Sequence, residues 1–395
     1  MKVIEIRIIA KIALLIFLYF VTYAFYNGLL NPVPALGDSW AYHIPISKTI
    51  LNGTFLYPIN FELPQWYYPG SSEAINSVFL LLGIPLTLSN LFAVCILFYS
   101  CWMLGITFKL NFYYALLFAV AFCSLNVIVR WFNAVSIDIW VAVFFCWALI
   151  LLENPKKSVI YFLKLGFFFG MIIGSKYSAI IYAVILIVVY VKNIYKYLNF
   201  QRVVAFMVPF SIFGLFWYIR NYLSIGNPFY PMEVLGFPGI NVFNSKVIYI
   251  TASYPLDMFN ALFGEFKLWS FVLLIPAIYY GLLLHRIKMP AIYGINRLFV
   301  IGILGLCSFL FFPTSKEVWI MVSSFRYSYP VFIVIILGTF ILAQKYNQRH
   351  NLGYFVIANM IMVTSFAYYP KLILFYMPIA FICFYLMQRH DQKIK

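Results

Sequence analysis

The sequence predicts an all-α, polytopic transmembrane protein. It reads as one membrane domain over residues 1–395, with about 12 spans and interfacial helices in its first outer loop. Three observations predict this. The chain is 65% hydrophobic and only 10% charged, with a mean hydropathy of +0.93. A soluble domain carries roughly 25% charged residues and cannot hide so much apolar surface. Apolar runs near the ~20 residues that cross a bilayer recur along the whole length. Dealing the loops between those runs alternately to two sides also separates the charges.

Taken in order, the predicted spans are 8–28, 86–107, 111–129, 137–152, 159–175, 177–192, 203–219, 267–285, 298–313, 328–344, 353–369 and 371–387. The first has a basic start and no small-x-small cleavage site, so it reads as an uncleaved span rather than a signal peptide. The short pair flanking Lys176 leaves a re-entrant hairpin open. Cys95, Cys101, Cys123, Cys146, Cys307 and Cys383 all lie in apolar runs without metal-ligand spacing. They read as small buried hydrophobes.

One side receives 18 of the 27 Lys and Arg residues. That is the positive-inside signature of a cytoplasmic face, and it places both termini there. The formal charge of +16 is then topological and faces lipid headgroups, with no need of nucleic acid. The opposite, extracytoplasmic side receives eight of the 11 acids (Asp38, Glu62, Glu73, Asp138, Glu233, Asp257, Glu265 and Glu317) and the two long loops, 29–85 and 220–266. Long loops on a membrane scaffold usually carry function. Chemistry is therefore expected on that face.

The first long loop opens with "GDSWAYHIPISKTILNG", Gly37 to Gly53. Its mixed apolar and polar residues read as a helix in the interface plane, broken near Pro45. Asp38 at its start is either an N-cap or a carboxylate poised at the membrane surface as general base or metal ligand. Tyr42 and His43 are candidate substrate contacts. His43 either binds phosphate, assists as acid or base, or sits wet at the interface. Further on, "FELPQWYYPGSSEAI" sets aromatics beside a Pro-Gly turn. These suit an interfacial belt and equally suit stacking on sugar rings. Glu73, which begins the helix that follows, is a further candidate substrate contact, as is Arg130; a cap-region acid is the plain reading of Glu73.

Asp138, in "SIDIW", opens a span at the outer interface. It is either a helix-end charge or a functional acid, with Arg130 as its partner. An ionisable group at membrane depth costs about 2.5–3.5 kcal/mol on insertion scales. Lys176, Arg220 and Arg326 lie at the same level. Singly, each reads as an interface anchor. Together, on a face that also holds carboxylates, they suit binding of a lipid phosphate.

The motifs "GDSWAYHIP", "YYPGSSEAI", "SIDIW", "GSKYSA" and "RNYLSIGNPFYP" together resemble the GT-C superfamily of integral-membrane glycosyltransferases. The likeness is nearest to the bacterial branch that uses polyprenyl-phosphate sugars, related to protein O-mannosyltransferases and lipid A aminoarabinose transferases. It covers about Leu29 to Pro330. It implies a polyprenyl-phosphate-sugar donor, a lipid, glycan or protein acceptor, membrane lipids as surroundings, and transfer on the outer face of a bacterial inner membrane. The resemblance maps a carboxylate that deprotonates the acceptor, or helps hold a divalent cation (Mg²⁺ or Mn²⁺), onto Asp38, with Asp138 second. It maps the cations that neutralise the departing phosphate onto Lys176, Arg220 and Arg326. Some relatives carry an acidic pair where this chain has Asp38-Ser39.

Two readings compete. A transporter or flippase would place polar residues at the bilayer midplane, whereas here the ionisable groups crowd one outer surface. A polymerase of lipid-linked glycans would need a large late outer loop, and 313–327 is short.

Overall fold

Most helices are apolar on every side, as expected of helices solvated by lipid and by one another. The computed structural model describes residues 2–32, 34, 37–56, 63–240, 245–285, 292–314 and 317–364. The predicted span 371–387, the end of 353–369, and Glu62, Arg286, Lys288 and Cys383 lie outside the described residues.

The helices in chain order are α1 (Lys2–Leu30), α2 (Ile44–Leu51), α3 (Glu73–Leu81), α4 (Ser89–Thr107), α5 (Phe112–Cys123), α6 (Asn126–Val129), α7 (Asp138–Glu153), α8 (Val159–Ser175) and α9 (Ala179–Tyr195). They continue with α10 (Phe200–Phe210), α11 (Phe216–Ile225), α12 (Val247–Ser253), α13 (Pro255–Phe266), α14 (Ile275–Leu284), α15 (Ile295–Phe309), α16 (Val318–Ser324), α17 (Tyr329–Lys345) and α18 (Arg349–Thr364). Strands β1 (Ser245–Lys246) and β2 (Pro313–Thr314) pair antiparallel and tie the second long loop to the turn before α16.

Among the described residues five helices are long and apolar enough to cross a bilayer: Ile6–Leu30, Leu86–Thr107, Phe200–Ile225, Pro255–Leu284 and Ile320–Lys345. Four more apolar helices are shorter. The span expected at 267–285 begins where α13 ends: Lys267 has φ 51°, and Ser270 Oγ donates to the Leu262 carbonyl at 3.3 Å, so the chain turns between α13 and the helical segment that runs on into α14. Around Lys176 the chain forms a hairpin of α8 and α9. The Ile320–Lys345 rod is the buried centre, with 89% of its apolar window inside the protein, whereas Phe200–Ile225 is peripheral at 28%. Cys101, Cys123 and Cys146 are buried as expected, but Cys95 and Cys307 face outward.

Close helix contact explains one sequence feature. Gly166, Gly170 and Gly174 recur every four residues along α8 and let the backbone of α10 and the turn after it pack directly on it. A Cβ at Gly166 would lie 2.0 Å from the Phe206 carbonyl, and one at Gly174 would lie 1.8 Å from that of Phe213.

The first loop folds back over one end of this bundle. Pro45 lacks an N–H, and its ring crowds the carbonyl four residues earlier. The expected break at Pro45 does not occur. The chain instead widens into a π turn, Ser39–His43, and enters α2 with proline in its first turn. The Ala41 carbonyl, which Pro45 leaves without its usual donor, accepts from Trp66 Nε1 at 2.9 Å. Polar bonds then pin the loop to the bundle. Ser39 Oγ donates to the Val135 carbonyl at 3.1 Å, the Ser71 N–H to the Gly174 carbonyl at 2.8 Å, and Ser72 and Ser175 hydroxyls meet at 2.6 Å.

Candidate active site

Asp38 stands just before the π turn, yet its side chain caps nothing. Its carboxylate instead accepts from Arg326 Nη2, 288 residues further along the chain. Arg326 lies in the tight turn Phe325–Ser328 that leads into α17. The same guanidinium reaches a second acid: its Nε lies 3.3 Å from Asp138 Oδ2. Asp138 is the first residue of α7, and it too makes no capping bond. Its Oδ1 accepts from Lys176 Nζ at 2.6 Å. Lys176 is extended (φ −161°, ψ 139°) where α8 ends, which turns its side chain back over the bundle end. Four separate segments therefore bring Asp38, Asp138, Lys176 and Arg326 together.

Aromatic rings frame this cluster. Lys176 Nζ sits 3.7 Å from the centre of the Tyr327 ring. The Arg326 guanidinium lies 5.4 Å from Trp131 and 5.6 Å from Tyr327. Such cation–π contacts strengthen when desolvated. Asp138 and Arg326 are almost fully buried, whereas the Asp38 side chain is 38% exposed. Asp38 is therefore the carboxylate at the open side.

Burial pushes the Asp38 carboxyl upward. The Arg326 guanidinium, helped by His43 and Lys176, outweighs that and holds it below the usual carboxylate range. Asp38 is thus ionised but a weak base while Arg326 stays on it. Burial raises the Tyr42 and Tyr68 hydroxyls, with the Asp38 charge adding to it, so both remain O–H groups. Their rings meet edge to face at 5.6 Å.

The remaining candidates separate. Glu73, the first residue of α3, does not cap it; its Oε1 pairs with His43 Nδ1 at 2.9 Å, both side chains being 1% exposed. His43 is therefore not wet at an interface. Arg130 is not the partner of Asp138. Its Nη1 pairs with Glu265 Oε1 at 3.0 Å, and its Nη2 donates to the Val322 carbonyl at 3.0 Å. Arg220 stands outside the cluster: its Nη2 donates to the Tyr67 carbonyl at 2.8 Å and to Asn221 Oδ1 at 2.7 Å, fastening α11 to the first loop. Trp131 and Tyr327 escaped the sequence reading; their one signal was an aromatic beside each arginine, in "RWF" and "FRYSY", whereas Tyr68 is one of the aromatics expected beside the Pro-Gly turn.

The donor set does not fit a divalent cation. Mg²⁺ demands near-octahedral oxygen coordination, while the Asp38 and Asp138 carboxylates are already engaged by Arg326 and Lys176. Among the described residues no three His, Cys, Asp or Glu groups converge.

An apolar groove of about 850 Å³ opens between α3, α4, α7, α8 and α11, lined by residues such as Ile75, Val78, Phe92, Phe144, Phe213 and Trp217. Ser71, at its edge, donates to the Phe213 carbonyl and accepts from Trp217 Nε1 at 2.7 Å. The groove and the Glu73–His43 pair share α3: the groove lines one side of the helix, and Glu73 turns toward His43 on another.

No family model and no curated protein matches this sequence. Solved structures do. The chain superposes on ArnT from Cupriavidus metallidurans bound to undecaprenyl phosphate with a TM-score of 0.58 and 13% identity. On the apo form of the same protein the values are 0.52 and 14%. Each match covers 90% of this chain and 64% of the ArnT chain, so this chain spans a little under two thirds of ArnT's length. The chain therefore shares the fold of ArnT, and among the described residues five of its helices are long and apolar enough to cross a membrane.

Proposed function

We propose that this chain is a membrane glycosyltransferase, moving a sugar from a polyprenyl-phosphate-linked donor to a hydroxyl of a lipid, glycan or protein acceptor at the extracytoplasmic surface. One observation carries the reading: two carboxylates and two cations, drawn from four distant segments, converge at a single end of a GT-C fold. Displacement at a sugar carbon needs a proton acceptor near the attacking oxygen and fixed positive charge where the leaving phosphate collects its electrons.

In this reading Asp38, at the open side, takes the hydrogen bond of the acceptor hydroxyl. Arg326 and Lys176 turn from carboxylate to phosphate and hold the released lipid phosphate. Asp138 keeps both cations in place until then. The apolar groove suits a lipid chain, because its lining offers almost no polar partner. Both termini and the lysine-rich loops are cytoplasmic.

The test is the full-length protein in liposomes, supplied with polyprenyl-phosphate sugars and assayed for loss of sugar from the donor. Asp38→Asn is expected to insert and fold normally and to lose transfer. Normal turnover in that variant overturns the reading.

A further inference from the structure

The transferase reading leaves unanswered where the acceptor's proton goes. Asp38 is engaged by Arg326, and Asp138 lies between Lys176 and Arg326. The Glu73–His43 pair is different. Glu73 holds Nδ1 of the imidazole at 2.9 Å, and Nε2, buried, has no hydrogen-bond partner in the protein. A buried polar atom without a partner requires an explanation, and a catalytic role is one of the few available.

The location of the pair fits such a role. The π turn is wound so that residues five apart share a face, which brings His43 to the side of Asp38. Charge on His43 acts on both Asp38 and Asp138, and Lys176 acts on Glu73. The Tyr42 ring covers the imidazole at 4.2 Å. The charged and titratable groups around His43 are therefore Glu73 from α3, Asp38 and Tyr42 from its own turn, Asp138 from α7 and, beyond Glu73, Lys176.

We infer that the Glu73–His43 dyad is the proton acceptor of the transfer reaction; the inference rests on the transferase reading above. Glu73 accepts from Nδ1–H and so leaves the Nε2 lone pair free. As the acceptor oxygen bonds to the anomeric carbon, its proton passes to Nε2. The bond from that carbon to the donor phosphate breaks, and its electron pair stays on the phosphate oxygen beside Arg326 and Lys176. The imidazolium is balanced by the Glu73 carboxylate, and Asp38 orients the hydroxyl at the open side. This assigns His43 a catalytic role and Glu73 a positioning one.

The experiment is the pH dependence of turnover in liposomes with a polyprenyl-phosphate sugar, for wild type, His43→Gln and Glu73→Gln. Wild type is expected to lose rate on the acid side as His43 takes a proton beforehand. His43→Gln is expected to lose that limb and on the order of a hundredfold or more in rate. Glu73→Gln still accepts from Nδ1–H but carries no charge. It is expected to fold and to move the limb to lower pH, since the imidazolium loses its counter-charge. A Glu73→Gln enzyme that is active with an unmoved limb overturns the dyad and leaves the transferase intact. Absence of turnover in the wild type with every polyprenyl-phosphate sugar overturns the transferase reading, and the dyad with it.

Discussion

Replacing Arg326 by glutamine removes one positive charge from between two negative ones. In the wild type the cluster is neutral, with Arg326 and Lys176 against Asp38 and Asp138. Glutamine leaves Asp138 with Lys176 at 2.6 Å and Asp38 with no cation touching it. Breaking a buried pair from one side costs about 3–5 kcal/mol. The low end applies here, because Asp38 is 38% exposed and can rehydrate. For turnover, loss of a donor aimed at developing charge costs about 10²–10³-fold. Arg326→Lys separates the two effects: lysine restores charge but offers one nitrogen, so it cannot span both carboxylates. It is expected to recover most of the stability and little of the rate.

The same variant carries a pH signature. The folded-state carboxyl of Asp38 is held below its ordinary value, so its contribution to stability is present above that value and is lost as pH falls through the folded one. Arg326→Gln removes this term, and its melting temperature in detergent should fall less than that of wild type on acidification below about pH 4. An Arg326→Gln protein that melts with wild type and transfers sugar within tenfold of it would refute the bridging role.

Asp138→Asn should lower turnover by at least about a hundredfold in the liposome assay; full turnover with a lowered melting temperature would return Asp138 to a helix-end role. Gly174→Ala should lower the melting temperature, because its Cβ would meet the Phe213 carbonyl at 1.8 Å, an overpacking worth about 1–3 kcal/mol. Gly264→Ala, with nothing within 4 Å, should not. Arg220→Gln should loosen the first loop and lower stability; a variant of unchanged stability with collapsed turnover would make Arg220 a phosphate ligand after all. Reporter fusions after Lys157 and after Lys246 should report opposite faces, and a same-side result would undo the topology.

The helices were legible because hydropathy is a local property, and in lipid it has no competitor. Where the reading slipped, the cause lay elsewhere in the chain. Pro45 was expected to break a helix, and nothing local to it shows that Trp66, 25 residues away from Ala41, would satisfy the carbonyl it leaves free. Glu265, on α13 just ahead of the expected span 267–285, is neutralised by Arg130 from the stretch after α6, a pairing that nothing local to either residue shows.

The charges that meet in the cluster were legible as candidates but not as pairs, and the reason is physical. In so apolar a chain each charge is costly, so a charge on the outer face marks either a boundary or a function. Composition and sidedness thus put Asp38, Asp138, Lys176 and Arg326 among the candidates, together with Arg220 and Arg130, which packing carries elsewhere. Pairing is decided by packing over separations of up to 288 residues. Sequence order favoured Arg130 for Asp138, only eight positions apart, yet Arg130 is drawn to Glu265 and Asp138 to Lys176. The observed pairing leaves each acid with a cation and the cluster neutral. In the proposed reaction that neutrality has a consequence. A donor phosphate binds only by taking Arg326 or Lys176 from a carboxylate, and the carboxylate it frees most readily is Asp38, the exposed one. Donor binding and release of Asp38 toward the acceptor are then one event, so Arg326→Gln should loosen donor binding and, at the same time, free Asp38 before any donor arrives.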